Sequence, residues 1–90
     1  MIIVWDEKKA KSNLTKHGVS FEEAQTVLFA QQSVTLDDNS HDEPRFITIA
    51  FSVKLTLLVV VYAYKHQDEI RIISARKATK KEAKFYEERI

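Results

Sequence analysis

The apolar residues of this chain change their spacing near Gln32. Before that point they recur every three or four residues, which is the repeat of a helix that buries one face. After it they mostly alternate with polar residues, which is the repeat of a half-buried strand. The chain has 90 residues, of which 44% are hydrophobic and 30% are charged, and this length suits one globular domain. We therefore expect a single α+β domain over residues 1–90.

Two helices are predicted in the first third of the chain. Asp6 is placed to cap the first helix, which runs to about Lys16 and ends at Gly18, the only glycine. Ser20 and Glu23 have the spacing of a capping box, so a second helix begins there and ends near residue 30. The residues expected to face inward are Ala10, Leu14 and His17 in the first helix and Phe21, Ala24, Val27 and Leu28 in the second.

Five strands and a last helix complete the predicted order. The strands are predicted at Ile2–Trp5, Val34–Leu36, Arg45–Ser52, Leu55–Tyr64 and Glu69–Ala75. Short connections between the last of these favour antiparallel pairing. Thr79 and Glu82 form a second capping box, which begins a helix with Ala83, Tyr86 and Ile90 facing inward. The order β-α-α-β-β-β-β-α predicts two helices packed on an antiparallel sheet, with a closing C-terminal helix.

Charge is divided unevenly along the chain, although the net charge is only +1. Residues 1–44 hold 4 Lys and Arg against 8 Asp and Glu, and include the acidic segment Asp37–Pro44, which is predicted to be a loop. Residues 45–90 hold 10 basic residues against 5 acidic ones, and 6 of the basic residues fall within Arg71–Lys84. Such a segment is either a solvated face or a surface that binds an anion such as nucleic acid.

Several classes of function are excluded by what the chain lacks. One glycine cannot form a P-loop or a dinucleotide fingerprint, and the absence of cysteine excludes disulfides and thiolate metal sites. The spacing of the three histidines is not that of metal ligands, so neither a metal site nor another cofactor is predicted. The longest apolar stretch is too short to span a membrane, and the start has no signal-peptide features. We expect a cytoplasmic protein with its natural start and no membrane partner.

The side chains that remain suit RNA cleavage by the neighbouring 2′-hydroxyl group. That reaction needs a base for the hydroxyl, cations for the charge that develops on the phosphate, and a proton donor for the leaving 5′-oxygen, but no metal ion. Lys9, Asn13 and Lys16 fall on one stripe of the first predicted helix and could form one wall of an anion site. Arg45 begins a strand and Arg71 lies within another, which suits bidentate phosphate binding.

Motifs along nearly the whole chain resemble those of the BrnT family of bacterial toxins. They are Trp5-Asp6-Glu7-Lys8-Lys9-Ala10, Lys16-His17-Gly18, Arg45-Phe46, Arg71-Ile72-Ile73-Ser74-Ala75-Arg76, and Thr79 with Glu82 and Tyr86. The resemblance implies a RelE-like fold and a type II toxin–antitoxin ribonuclease that arrests translation. It also implies a BrnA-like antitoxin with a ribbon-helix-helix part, joined to the toxin in a complex with two copies of each chain. That complex would bind operator DNA only through the antitoxin and repress its own operon.

Two sets of candidate site residues follow. The candidate catalytic residues are Lys16, His17, Glu23, Arg45, Arg71 and Arg76. The candidate RNA-binding residues are Lys9, Asn13, Phe46, Tyr62, Lys77 and Lys80. Arg71 and Arg76 have opposite strand parity, so they can face one site only if the strand ends or bulges between them.

The same residues have structural alternatives. His17 could cap the end of a helix, Glu23 could serve its capping box, and Tyr62 could cover the edge of the core. For the whole protein, the alternatives to an enzyme are a non-catalytic module that binds nucleic acid or an acidic partner, and a partner-dependent structural protein. Lys16, Arg45 and Arg71 around one cleft would favour the enzyme. Scattered placement would favour the binding module, and pairing of all three in surface salt bridges would favour the structural protein.

Overall fold

The computed structural model describes all 90 residues and contains three helices and a five-stranded sheet. The elements are β1 (Ile2–Val4), α1 (Glu7–His17), α2 (Phe21–Val27), β2 (Val34–Asp38), β3 (Arg45–Phe51), β4 (Leu57–His66), β5 (Glu69–Lys77) and α3 (Lys80–Glu87). The predicted α+β class and the predicted order of elements are confirmed. None of the helices has the length and apolar character needed to cross a membrane.

The sheet has the strand order β1-β5-β4-β3-β2 and is mixed. From β2 to β5, consecutive strands pair antiparallel, as their short connections favour. β1 instead adds to the outer edge of β5 in parallel, which differs from the fully antiparallel sheet that the loops predict. β1 pairs only with Glu69, Ile70 and Arg71. The C-terminal part of β5 therefore has no strand beside it on that edge.

Helices lie on both faces of the sheet but cover them unequally. α1 and α2 pack on one face, where the main core contains Phe21, Val60 and Ile72. α2 buries its predicted residues Phe21, Ala24 and Val27. On the second face, Tyr86 of α3 packs with Ile49 and Val59. We call this second face the open face, because α3 has only eight residues and covers one end of it.

α1 turns inward a stripe that keeps the predicted Ala10 and His17 but has Asn13 in place of Leu14. Asp6 caps its start by accepting a hydrogen bond from the Lys8 N–H, and Gly18 closes it in the left-handed conformation, with φ of 70°. The buried residue of the helix is Asn13, whereas Leu14, expected to face inward, is 52% exposed. α1 meets β5 at the sheet edge, where backbone groups need polar partners, so a carboxamide fits this contact better than an aliphatic side chain.

Several element boundaries also differ from the sequence prediction, and α2 ends at Val27 rather than near residue 30. β4 begins at Leu57 rather than at Leu55, because Leu55 lies in the preceding turn with φ of 60° and is 81% exposed. The strand then continues to His66, so a two-residue turn connects it to β5. α3 ends at Glu87, which leaves Ile90 55% exposed instead of facing inward.

A bulge in β5 decides which way its arginines point. The pairing of β4 with β5 shifts by one residue at Ile73, which is left as an extra residue on β5. Arg71 lies opposite Ala63 and Arg76 lies opposite Val59, and these two β4 residues share one face because they are four positions apart. Both arginines therefore project from the open face. From the sequence, Arg71 and Arg76 can face one site only if the strand ends or bulges between them, and the strand bulges at Ile73.

Candidate active site on the open face of the sheet

Two arginines converge at the end of the open face that α3 does not cover. Arg45 begins β3 and Arg71 lies within β5. Arg71 pairs with Ala63 of β4 from one side, and the register of β3 places Arg45 beside Ala63 from the other. Ala63 is only 1% exposed, so the long arginine side chains lie over it. The two guanidinium groups thus reach the same patch of surface.

The carboxylate of Glu43 lies between the two arginines. Glu43 is in the acidic loop before β3, and both of its oxygens are 2.8 Å from Nη2 of Arg71. Its Oε1 is 3.8 Å from Nε of Arg45, which is too far for a hydrogen bond. The side chains of Arg71 and Glu43 are 33% and 45% exposed. An exposed pair of this kind contributes less than about 1 kcal/mol to stability.

Both arginines keep unpaired donors. Nε of Arg45 is buried and has no hydrogen-bond partner, which is an unfavourable state for a donor. Arg71 uses one nitrogen for both bonds to Glu43, so its other N–H groups stay unpaired. A phosphate has more acceptor oxygens than a carboxylate and could bond to these N–H groups from both sides. The pair therefore has the features of an anion site the size of one phosphate.

An aspartate and a histidine lie beside Arg45. Asp38, at the end of β2, is the strand partner of Arg45. Its carboxylate accepts hydrogen bonds from the N–H and the hydroxyl of Ser40, at 3.1 and 2.6 Å, and lies 3.6 Å from Nε2 of His41. The bonds from Ser40, helped by the charges of His41 and Arg45, hold the pKa of Asp38 below its ordinary value. An ionised Asp38 thus holds the imidazole ring on the Arg45 side of the site.

An apolar groove continues from the arginine pair along the open face. It has a volume of about 370 Å³ and is lined mainly by Leu36, Ile47, Ile49, Val59, Val61 and Phe85. Arg76 and Glu82 lie at its far end and form two hydrogen bonds of 2.7 and 2.8 Å. These bonds lower the pKa of Glu82 to about 2. Arg76 is thus bound to α3, and its Cα lies about 13 Å along the strand from that of Arg71.

A second, basic cleft lies between α1 and the free edge of β5. We call it the α1 cleft; it has a volume of about 260 Å³ and is lined by Lys9, Ser12, Asn13, Lys16, His17, Ile73 and Ser74. Lys9, Asn13 and Lys16 of the predicted stripe all line this cleft, with His17 beside them. However, α1 packs on the face opposite the arginine pair. Of the three residues expected to mark one cleft in an enzyme, Arg45 and Arg71 converge and Lys16 lies elsewhere.

Asn13, which the helix stripe predicts to bind RNA, lies in the contact between α1 and the edge of the sheet. It is 7% exposed. Its Nδ2 donates to the carbonyl groups of Val19 and Ala75 at 3.0 and 2.8 Å, and its Oδ1 accepts from the Ala75 N–H at 3.1 Å. The carboxamide therefore pairs with the edge of β5 where β1 has ended. Both polar atoms of Asn13 are thus already hydrogen-bonded within the protein, which is a structural role.

Three more candidate residues belong to the side of the sheet that α1 and α2 cover. The Glu23 carboxylate accepts a hydrogen bond from Ser52 Oγ at 2.7 Å instead of closing the predicted capping box. Tyr62 is 6% exposed, and its hydroxyl is hydrogen-bonded to Thr48. Phe46 stacks on Tyr62. The ring of Tyr62 thus lies in the core, as its structural alternative expects, and presents no free face for base stacking.

Glu43, Asp38 and His41 are residues of this site that the sequence analysis misses. They fall in or next to a segment predicted only as an acidic loop, and loop conformation leaves no periodic pattern in a sequence. The usable signal is charge: a group of carboxylates directly precedes an arginine that begins a strand. Opposite charges so close along the chain favour a contact between the loop and that arginine.

The fold makes the chain a small α+β protein with three helices and a mixed five-stranded sheet. The crystal structure of the ribonuclease toxin BrnT from Brucella abortus matches it with a TM-score of 0.72 and 24% sequence identity, over 89% of this chain and 99% of that chain. A family model, described as the ribonuclease toxin BrnT of type II toxin–antitoxin systems, matches residues 5–82. No curated protein sequence matches the chain. The chain therefore belongs to the BrnT family of ribonuclease toxins, and the resemblance of its motifs is confirmed.

Proposed function

We propose that the open face is the active site of a metal-independent endoribonuclease, with the scissile phosphate bound between Arg45 and Arg71. The observation that carries the proposal is the convergence of two guanidinium groups, with donors left unpaired, on one anionic group. RNA cleavage of this kind by a toxin inhibits translation by destroying its templates.

In the proposed reaction, the 2′-hydroxyl oxygen attacks the adjacent phosphorus atom and the 5′-oxygen of the next nucleotide leaves. Negative charge grows on the non-bridging phosphate oxygens as the transition state forms. Arg45 and Arg71 are held in place by their strands, so their charges face those oxygens without further rearrangement, which is the most effective form of electrostatic stabilisation. The products are a 2′,3′-cyclic phosphate and a 5′-hydroxyl end.

Neighbouring surfaces supply contacts for the rest of the RNA. The apolar groove beside the arginines accepts an unstacked nucleobase, with Phe85 as its aromatic side chain. Lys80 is exposed at the start of α3 and attracts phosphates on that side. Lys77 lies opposite Leu58 and projects from the other face, so it binds RNA outside the cleavage position. Lys9, Lys16 and His17 lie in the α1 cleft, away from the arginine pair. In this proposal these three bind RNA outside the cleavage position.

The metal independence is tested with the purified protein and a defined single-stranded RNA, with and without EDTA. We expect the same rate in both and products that carry 2′,3′-cyclic phosphate ends. Loss of cleavage in EDTA, with recovery on addition of Mg²⁺, would show that the mechanism is wrong. No cleavage under any condition would favour the non-catalytic binding module.

The phosphate site is tested by Arg45→Ala and Arg71→Ala. Each should lower RNA cleavage by about tenfold to a thousandfold, the scale for losing one preorganised transition-state contact. Thermal unfolding should change little, because the pair of Arg71 with Glu43 is exposed. Arg71→Lys keeps the charge but loses the planar fork, so it should remain clearly defective. Lys54→Ala, in the exposed turn before β4, is the control and should cleave normally.

The partner of a type II toxin is an antitoxin protein. We infer a BrnA-like antitoxin with a ribbon-helix-helix part, assembled with this chain as two copies of each, so that DNA contacts belong to the antitoxin. Large apolar side chains exposed on the toxin, among them Phe29, Val53 and Leu55, give such a partner anchors. The mass of the purified complex, measured by light scattering, tests the stoichiometry. A complex with one copy of each chain would contradict it.

A further inference from the structure

We propose that Glu43 is the general base and His41 the general acid of the cleavage reaction, so that the acidic loop between β2 and β3 carries the proton transfers. The proposal rests on the phosphate site proposed above and adds the two groups that it lacks. Arginines bind and stabilise charge, but they stay protonated and cannot take up the proton of a 2′-hydroxyl group. A base and an acid must stand on either side of the bound phosphate.

The position of Glu43 suits the base. Its carboxylate is bonded to Arg71 at 2.8 Å and lies 3.8 Å from Nε of Arg45, so a phosphate held by these two arginines lies next to it. The bonds come from a single nitrogen of Arg71, and a carboxylate has about four acceptor positions, so room remains for the 2′-hydroxyl. With its side chain 45% exposed, Glu43 can be reached by a substrate.

The position of His41 suits the acid. Its Nε2 is 3.6 Å from the carboxylate of Asp38, and Asp38 is the strand partner of Arg45. The imidazole therefore lies on the Arg45 side of the phosphate site, whereas Glu43 is bonded to Arg71. Its side chain is 45% exposed. A histidine is the side chain whose unperturbed proton affinity suits donation near neutral pH.

The proton transfers balance without another reactant. The Glu43 carboxylate takes the proton of the 2′-hydroxyl while that oxygen forms a bond to phosphorus. The bond from phosphorus to the 5′-oxygen breaks, and the imidazolium of His41 gives its proton to the leaving oxygen. Glu43 ends protonated and His41 ends neutral, and exchange with water restores both. No oxidant, metal ion or cofactor takes part.

The first test measures the single-turnover cleavage of a defined RNA by loop variants. Glu43→Gln and His41→Ala should each lower the rate by about 10²–10⁴-fold, the usual contribution of a positioned acid or base. Asp42→Asn changes the carboxylate between them, which has no partner, and His66→Ala removes an exposed histidine at the β4–β5 turn; both controls should cleave normally. Thermal unfolding of every variant should match that of the parent, because all four side chains lie in exposed segments.

The second test separates acid from base. An RNA whose leaving 5′-oxygen is replaced by sulfur needs no proton donor, because a thiolate leaves readily without one. On this substrate His41→Ala should recover a rate close to that of the parent, whereas Glu43→Gln should stay slow. The parent should also show a bell-shaped pH profile with oxygen substrates. Such a profile is expected of a reaction that uses one general base and one general acid.

Each other outcome overturns the assignment. Faster cleavage by Glu43→Gln would mean that this carboxylate competes with the phosphate for Arg71 instead of acting as the base. A His41→Ala defect that the sulfur substrate does not rescue would mean that His41 is not the acid. If Arg71→Ala is inactive while both loop variants cleave normally, this inference fails and the phosphate site stands. If Arg71→Ala cleaves normally, the phosphate site itself fails.

Discussion

Asn13 forms three hydrogen bonds, of which two hold α1 against the edge of β5 and one binds the Val19 carbonyl after the helix. Two of them join its carboxamide to the N–H and the carbonyl of Ala75, as a neighbouring strand would. Arg71, by contrast, has an exposed partner in Glu43 and free donors besides. Two polar residues near the same strand thus have different roles: one completes the backbone pairing of the sheet, and the other is available to a ligand.

Asn13→Ala should destabilise the fold without changing any group that touches RNA. It leaves the Ala75 N–H and carbonyl unpaired in a buried place, at a cost of roughly 1–3 kcal/mol for each group. Chemical denaturation should show this loss. Ser12→Ala, the exposed neighbour on the same helix, is the control and should keep the stability of the parent. Equal stability of Asn13→Ala and the parent would contradict the structural role of the carboxamide.

Single residues also show how far the sequence predicts the site. Arg45 and Arg71 can be found because each lies in a clear strand pattern, where an arginine needs an anionic partner. The bulge at Ile73, which turns Arg76 to the same face, leaves no such pattern and can only be stated as a condition. Glu43 and His41 lie in a loop, whose shape depends on tertiary contacts rather than on local periodicity.

At the scale of elements, α3 is fixed to the sheet by polar contacts at its first turn. Thr79 and Glu82 form a complete capping box, as the sequence predicts. The same Glu82 carboxylate also binds Arg76 of β5 through two hydrogen bonds. At Ser20, the same spacing predicts a capping box but gives only half of one, because Glu23 binds Ser52 instead. Local spacing therefore predicts where helices begin, and tertiary contacts decide what the glutamate binds.

The attachment of α3 should weaken in acid. Bonds from Arg76 lower the pKa of Glu82 in the folded protein to about 2, against 4.5 ordinarily. A lowered carboxyl pKa gives stability that is present above pH 4.5 and is lost as the pH falls towards 2. Glu82→Gln keeps the cap but removes the charge, so it should be less stable at pH 7 by about 1–2 kcal/mol, after allowance for solvent screening. The difference from the parent should vanish near pH 2.

Denaturation of both proteins at several pH values measures this difference. Glu88→Gln, which changes a 61% exposed glutamate 4.0 Å from Arg89, is the control and should follow the parent at every pH. A constant gap between Glu82→Gln and the parent from pH 7 to pH 2 would show that the ionised pair is not what stabilises α3.

Across the whole molecule, the proposed active site and the surface of α3 differ in charge. The arginine pair is partly neutralised by Glu43, and Arg76 is neutralised by Glu82. The exposed lysines of α3 have no such partners, so they supply the unbalanced positive charge near the apolar groove. An acidic segment of the antitoxin that crosses this helix would be attracted over a distance and would also cover the groove beside the active site. Binding there would block RNA without changing the catalytic groups.

Reversing Lys80, Lys81 and Lys84 to Glu should therefore slow the association of toxin with antitoxin. Long-range attraction acts on the association rate, so we expect a fall of about tenfold or more at low salt, a flatter salt dependence, and a nearly unchanged dissociation rate. Stopped-flow or surface-based kinetics at several salt concentrations measure all three. Reversal of Lys8, Lys11 and Lys16, exposed lysines of α1, gives the same net charge and should slow association less. If both triple variants slow association equally, only the net charge matters, and the antitoxin does not cross α3.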